Sequence, residues 1–373
     1  MSRITERKSN FELLRIIAML MIVAHHLAVN GVQGYAWSAG TMGNRLFQQF
    51  LIPGGATGVA LFFMLTGYFL AGKQRASVLK VFLQVIFYGL ALSALFLIMM
   101  VIHKLFGVGY IFPFSRMEKI TLFLRHVFVP VSAGNWWFVS AYVLLVLTAP
   151  RINQFLAALN KAGFIRLLAV TWFFWYSCQL VFGGVYVSLG RAFFFYILGA
   201  YCRLFEHSEQ EKPQVRHIAL FVLGWLLFIA SSLALRSISI EVTGIPQIVA
   251  TFLVSGLRNC VAVPLCAWSL FAIFARMNIP PSRRINTAAA TTFGVYLLHD
   301  SGITRQLIWN GILRVSDAQF LSPLFPLLAF ADILAVFAVC SAIDYLRLRF
   351  VEPKMLAWAE RRIAQAKEKY FLS

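Results

Sequence analysis

Residues 12–26 read Glu12-Leu13-Leu14-Arg15-Ile16-Ile17-Ala18-Met19-Leu20-Met21-Ile22-Val23-Ala24-His25-His26. The run is apolar enough to begin a membrane-spanning helix, yet it holds a glutamate, an arginine and two histidines. Ionisable groups cost several kcal/mol inside a bilayer and are rarely left there without a task. At about 100° and 1.5 Å per residue, the step from Arg15 to His26 is three turns plus about 20°. Both residues therefore lie on one helix face, about 16 Å apart. Glu12 falls near the same face, three residues before Arg15, where it can pair with it. His25 points about 100° away from His26 and reads as structural. By this local geometry alone, the polar residues are equally consistent with interfacial anchors whose side chains snorkel to water.

The rest of the chain fits a membrane setting. Of its 373 residues, 60% are hydrophobic and 13% charged, and its mean hydropathy is +0.77. A soluble chain carries about 25% charge. Repeated apolar runs of about 20 residues place the chain among polytopic all-α membrane proteins. The net charge is +19, but the basic residues sit mostly between apolar runs, where they set topology rather than bind nucleic acid. Cys178, Cys202, Cys260, Cys266 and Cys340 form no C-x-x-C pair and read as small buried residues, with no metal implied. Arg15 interrupts the first run early and no small-residue cleavage site follows, so that run does not read as a cleavable signal peptide.

Ten spans are predicted, at 11–29, 55–72, 81–102, 136–150, 167–182, 191–205, 217–235, 247–275, 287–309 and 323–346. With the N-terminus inside, the inner segments hold 22 Lys and Arg and the outer connections 9. This asymmetry puts both termini in the cytosol. The chain (1–373) reads as one domain, with a core over about 7–356 and a tail over 357–373 forming a basic amphipathic helix on the inner leaflet. Residues 206–217 read as a solvated loop, Met117–Val129 as an amphipathic surface helix, and Trp136 and Trp137 as interface anchors. Asp300 is expected to face the outer water, and Asp344, close to Arg347, to sit at the membrane interface.

The motifs resemble those of the membrane acyltransferase 3 family. Arg15, ten residues and then His26 match its first helix. Gly58-Val59-Ala60-Leu61-Phe62-Phe63-Met64-Leu65-Thr66-Gly67-Tyr68 is similar to its second, with Thr66 in place of the usual Ser. Asn135-Trp136-Trp137-Phe138-Val139 with Tyr142 and Ala149-Pro150, Phe293-Gly294-Val295-Tyr296-Leu297-Leu298-His299 and Phe350-Val351-Glu352-Pro353 resemble later family segments in the same order. The Gly-rich stretch from Pro53 to Tyr68 reads either as close helix packing or as a broken helix beside a cavity.

The resemblance implies transfer of an acyl group, acetyl foremost, from cytosolic acetyl-CoA or another acyl-CoA to a hydroxyl of an exported or lipid-linked cell-envelope glycan. The setting would be a bacterial plasma (inner) membrane, with lipid as the surrounding partner. Acyl transfer to an alcohol needs a base with a pKa near neutrality, which imidazole supplies. His26 is the candidate, as general base or as acyl carrier. Arg15, oriented by Glu12, suits a coenzyme A phosphate. Arg258, inside a span before Pro264, is a second donor- or acceptor-site candidate, or else a structural partner of Asp332. Lys73, Arg75 and Lys80 set topology and could assist with the donor. His299, Trp137, Asn135, Tyr296 and Arg125 are the acceptor-binding candidates. A transporter or flippase is the competing class. It would show internal inverted symmetry, which the sequence lacks, and substrate movement without acylation.

Overall fold

The computed structural model describes residues 8–110, 112–131, 136–181, 185–205 and 214–371. These residues form helices and connections, with no strand among them. The helices are α1 (Ser9–His26), α2 (Gly34–Ala39), α3 (Met42–Leu51), α4 (Pro53–Leu70), α5 (Leu79–Phe106), α6 (Arg116–Phe128), α7 (Trp137–Ala157), α8 (Lys161–Val181) and α9 (Val185–Phe205). They continue as α10 (Gln214–Glu241), α11 (Gly244–Gly256), α12 (Val263–Arg276), α13 (Arg283–Ala290), α14 (Thr292–His299), α15 (Gly302–Gln306), α16 (Phe325–Leu346) and α17 (Glu352–Phe371).

Among the described residues, seven helical segments are long and apolar enough to cross a membrane. They correspond to the predicted spans at 11–29, 55–72, 81–102, 136–150, 217–235, 247–275 and 323–346. The predicted spans 167–182 and 191–205 are α8 and α9, each 21 residues long, which fall outside the seven. The predicted span 287–309 is not one helix. Its apolar run is divided at Thr291 and again at Asp300, where Ser301 accepts the Thr304 N–H and starts α15. The connection expected over 30–54 is largely helical. Asn44 fastens α3 by donating to the carbonyls of Phe320 and Ser322, and α3 runs into α4 with only Ile52 between.

Helix α1 lies at the centre, in contact with α4, α12, α13, α14 and α16. Its buried side carries Phe11, Leu14, Ala18, Met19, Ile22 and Val23. The Gly-rich stretch forms the unbroken helix α4, so its glycines serve packing. A Cβ on Gly54 would stand 2.6 Å from the Met21 carbonyl oxygen, and one on Gly58 2.5 Å from that of Ala18. At the α4–α9 crossing the arrangement is reciprocal. A Cβ on Gly67 would strike the Tyr196 carbonyl, and one on Gly199 the Met64 carbonyl. Small residues let helix backbones approach this closely, and dispersion between backbones then holds them.

Helices α11 and α12 join through a π-helical segment, Leu257–Ala262. Pro264 has no N–H to offer the carbonyl four residues earlier. That carbonyl, on Cys260, instead accepts the Trp172 indole N–H at 2.6 Å. The wide turn carries Arg258 and Asn259 to the cavity described below. Cys202, Cys260, Cys266 and Cys340 are buried thiols.

Outside the bundle, α6 begins with a capping box between Ser115 and Glu118. The hydrogen bonds from Ser115 hold the Glu118 carboxyl below its ordinary value. His217, expected in a solvated loop, is buried edge-on to Trp268 at 5.1 Å. Residues 206–213 of that loop lie outside the described residues.

Asp344 is fully buried rather than interfacial. Its carboxylate accepts hydrogen bonds from Tyr88 at 2.7 Å, Gln84 at 3.1 Å and Arg347 at 2.6 Å. Arg347 also donates to Glu352 at 2.8 Å. The absent side chain of Gly294 makes room for this carboxylate. The network ties α5, α14, α16 and α17 together. Removing Asp344 leaves the buried Arg347 with Glu352 alone and strips Tyr88 and Gln84 of their acceptor, and breaking a buried pair of this kind costs about 3–5 kcal/mol. Asp344→Ala should therefore lower the thermal unfolding midpoint of the detergent-solubilised protein sharply. The exposed neighbour change Arg349→Ala should leave it where it is.

Candidate active site

Arg15, Met19, Ile22 and His26 recur at helical spacing along α1, and all four line one cavity of about 810 Å³. The polar face read from the sequence is thus the wall of an internal space. Helices α4, α5, α7, α9, α10, α13, α14 and α17, with Leu348 and the π-helical segment that holds Arg258, supply the other walls.

At one end, Arg15 pairs with Glu12 at 3.2 Å. The Arg15 guanidinium lies 5.6 Å from the centre of the Phe69 ring. Glu12 is 4% exposed, so the pair is anchored on its acidic side while Arg15 faces the cavity. Lys80 also lines this end and sits 3.6 Å from Glu352. Of the three basic residues expected near the donor, Lys80 lines the cavity, while Lys73 and Arg75 are exposed and do not.

At the other end, His26 Nδ1 is 2.9 Å from His299 Nε2. His299 is completely buried, and its Nδ1 is 2.6 Å from the Val295 carbonyl oxygen. A carbonyl oxygen can only accept, so His299 Nδ1 carries the hydrogen. A neutral His299 then presents a lone pair at Nε2, which accepts from His26 Nδ1–H. In neutral His26 the remaining nitrogen, Nε2, is left with its lone pair. With both imidazoles neutral, the hydrogen-bond chain allows this one pair of tautomers.

Asp300 completes the arrangement. It does not face outer water: it is 4% exposed, and its Oδ2 is 3.5 Å from His26 Nε2. Arg305 donates to its Oδ1 at 2.8 Å through Nε, with a second nitrogen at 2.7 Å. The turn that ends α14 at His299 and restarts the chain at the Ser301 cap brings Arg305 back over Asp300. His25 also lines the cavity, and its Nδ1 bonds the Ile52 carbonyl at 2.7 Å. Its ring occupies the space that a side chain at position 55 would fill.

The remaining predicted residues divide. Tyr296 and Trp137 line the cavity. Trp136 is fully buried, edge-on to His126 at 5.2 Å, and burial holds the His126 imidazole below its ordinary value. Arg125 is exposed on α6 and does not reach the cavity. Asn135 lies outside the described residues. Arg258 lines the cavity with its guanidinium 5.6 Å from the Phe228 ring centre, and no ion pair joins it to Asp332 among the described residues. No three His, Cys, Asp or Glu side chains among those residues are grouped to hold a metal ion.

Three contributors escaped the sequence reading. Asp300 and Arg305 had a faint signal: a carboxylate next to His299, followed by a Ser cap and an arginine five residues on. Arg191 had none beyond being an arginine at the start of an apolar run. It lines the cavity with its guanidinium 5.0 Å from the Trp137 ring centre.

No curated protein and no solved structure matches this chain. One family model, described as an acyltransferase domain of the acyltransferase 3 type, matches residues 8–345. That match runs through every element of the cavity except its Leu348 and Glu352 wall. The chain belongs to the acyltransferase 3 family and is a multi-pass membrane acyltransferase.

Proposed function

We propose that the chain moves an acyl group, acetyl foremost, from acetyl-CoA to a hydroxyl of an exported or lipid-linked glycan in a bacterial plasma membrane. The observation that carries this reading is the free Nε2 of His26, with Asp300 3.5 Å away. The acceptor hydroxyl gives its proton to Nε2 while its oxygen attacks the thioester carbonyl. The tetrahedral intermediate expels the coenzyme A sulfur, which takes the proton back from the imidazolium. Asp300 stabilises that imidazolium, and Arg305 holds Asp300 in place. The carboxylate beside Nε2 favours the base role for His26 over the acyl-carrier role, since an acyl group on Nε2 would crowd it.

Arg15 holds the diphosphate of the donor. The helical distance of about 16 Å from Arg15 to His26 is within the reach of a pantetheine arm. The seven apolar segments, α8, α9 and the broken segment from α13 to α15 together make ten crossings. At about 1.5 Å per residue, α8 and α9 are each about 31 Å long, the thickness of a hydrocarbon core. An even number of crossings, with the basic residues inside, puts both termini and the Arg15 end at the cytosol.

In membranes or nanodiscs supplied with acetyl-CoA, His26→Ala should lower the rate of glycan acetylation by about 10²–10⁴-fold, with unchanged expression and melting. Mass spectrometry of the glycan, following a shift of one acyl group, reads this. A wild-type rate in that variant would remove His26 from the reaction, whereas substrate movement with no acylation by the wild type would favour transport.

His299→Leu removes the acceptor that fixes the His26 tautomer. It should lower kcat more than it changes either KM, and His299→Gln, whose carbonyl oxygen can accept from Nδ1–H, should restore part of the loss. Equal loss in both variants would count against the tautomer role. Arg15→Gln should raise the KM for acetyl-CoA about tenfold or more, as loss of a charge-assisted contact does. With S-acetylpantetheine, which has no phosphate, the same variant should match the wild type.

A further inference from the structure

The cavity's charges are matched at every acidic group and unmatched at two basic ones. Glu352 is held by Arg347 and Lys80, and Asp300 by Arg305. Arg15 has Glu12. Arg191 and Arg258 form no ion pair among the described residues, and the Nε of each is buried without a hydrogen-bond acceptor. What each has is an aromatic face, Trp137 under Arg191 at 5.0 Å and Phe228 by Arg258 at 5.6 Å. A guanidinium stacked on a ring keeps its N–H edge free for a planar or tetrahedral oxyanion. An intramembrane arginine without an acid is costly unless something supplies the anion.

Position separates this pair from the donor's phosphate end. Both guanidiniums are in Coulombic reach of His25, at the histidine end of α1. Trp137 opens α7, and Arg258 sits in the π-helical turn two helical turns before Cys266, which contacts Thr57 near the start of α4. Arg15 lies three turns away along α1, next to Phe69 at the opposite end of α4.

We propose that Arg191 and Arg258 form an oxyanion subsite for the acceptor, which carries a phosphate or carboxylate close to the hydroxyl that is acylated. This rests on the acyl-transfer reading above and narrows its substrate class to anionic glycans. The same chemistry could be supplied by phosphates of the donor, and the experiment separates the two sources.

Purified full-length protein would be tested with three acceptor probes: methyl glucoside, its 6-phosphate and methyl glucuronoside. Thermal melting without donor reads binding, and acetyl transfer from acetyl-CoA reads turnover. The two charged probes should raise the wild-type melting temperature more than the neutral one. Arg191→Gln and Arg258→Gln should abolish that difference, Arg191→Lys and Arg258→Lys should keep part of it, and Arg15→Gln should keep it whole. In turnover, the Gln variants should raise the KM for charged acceptors about tenfold or more, with the KM for acetyl-CoA unchanged. Equal binding of neutral and charged probes by the wild type would overturn the subsite. So would Gln variants that raise the KM for acetyl-CoA instead, which would give the guanidiniums to the donor. Charged probes that bind through Arg191 and Arg258 but are never acylated would leave the subsite standing and sink the acyl-transfer reading.

Discussion

A backbone carbonyl cannot donate a hydrogen, and at Val295 that limit propagates through two imidazoles. His299 must present Nδ1–H to Val295, so its Nε2 accepts, so His26 must donate from Nδ1. The atom left over, His26 Nε2, faces Asp300. The order matters because a histidine with both nitrogens free would divide between tautomers, and only one of them leaves its lone pair on the nitrogen beside Asp300. The ladder of helix α14 is what holds the Val295 carbonyl still. An imidazole on α1 thus takes its chemical definition from the backbone of a helix more than two hundred residues later in the chain.

Bringing those helices together is a packing problem solved by missing side chains. Gly54 and Gly58 draw α4 against α1, Gly55 leaves room for the His25 ring, and Gly294 leaves room for Asp344. At Gly55 and Gly294 the absence seats a polar side chain directly against helix backbone. Pro264 works the other way. By withholding one N–H it frees the Cys260 carbonyl for Trp172 and accompanies the wide turn that turns Arg258 inward.

How much of this was legible in the sequence follows from range. The Arg15–His26 face is set by local helical geometry, so spacing alone located it. The helix expected over Met117–Val129 is likewise local, and α6 covers Arg116–Phe128. Asp300, Asp344 and Arg191 were misjudged or missed because burial depends on partners far away in sequence. Asp344 looked interfacial because it closes an apolar run, but Tyr88 and Gln84 from α5 cover it. Hydropathy also ran the segment 287–309 together, since averaging over a window hides a one-residue turn. The break at Asp300 is small in composition and decisive in geometry: without it, Arg305 would continue outward along a helix instead of folding over the carboxylate.

Placing charges in a membrane protein's interior has a cost that sorts them into two kinds. Those closed by the chain itself, such as Asp344 with Arg347 or Asp300 with Arg305, are complete before any ligand arrives and can be held rigid. Those stacked on aromatic rings with their N–H edges unmet are complete only with a ligand present. Arg191 and Arg258 are of the second kind. Their shared placement near the histidine end, three helical turns from Arg15, makes the cavity asymmetric in what it asks of its contents. One end meets an anion beside an arginine already balanced by Glu12, the other beside two guanidiniums with no such balance. A balanced arginine can release its ligand at small electrostatic cost, which suits the donor end of the proposed reaction. The unbalanced pair holds an anion more firmly, which suits an acceptor whose hydroxyl has to be kept against Nε2 while the thioester arrives.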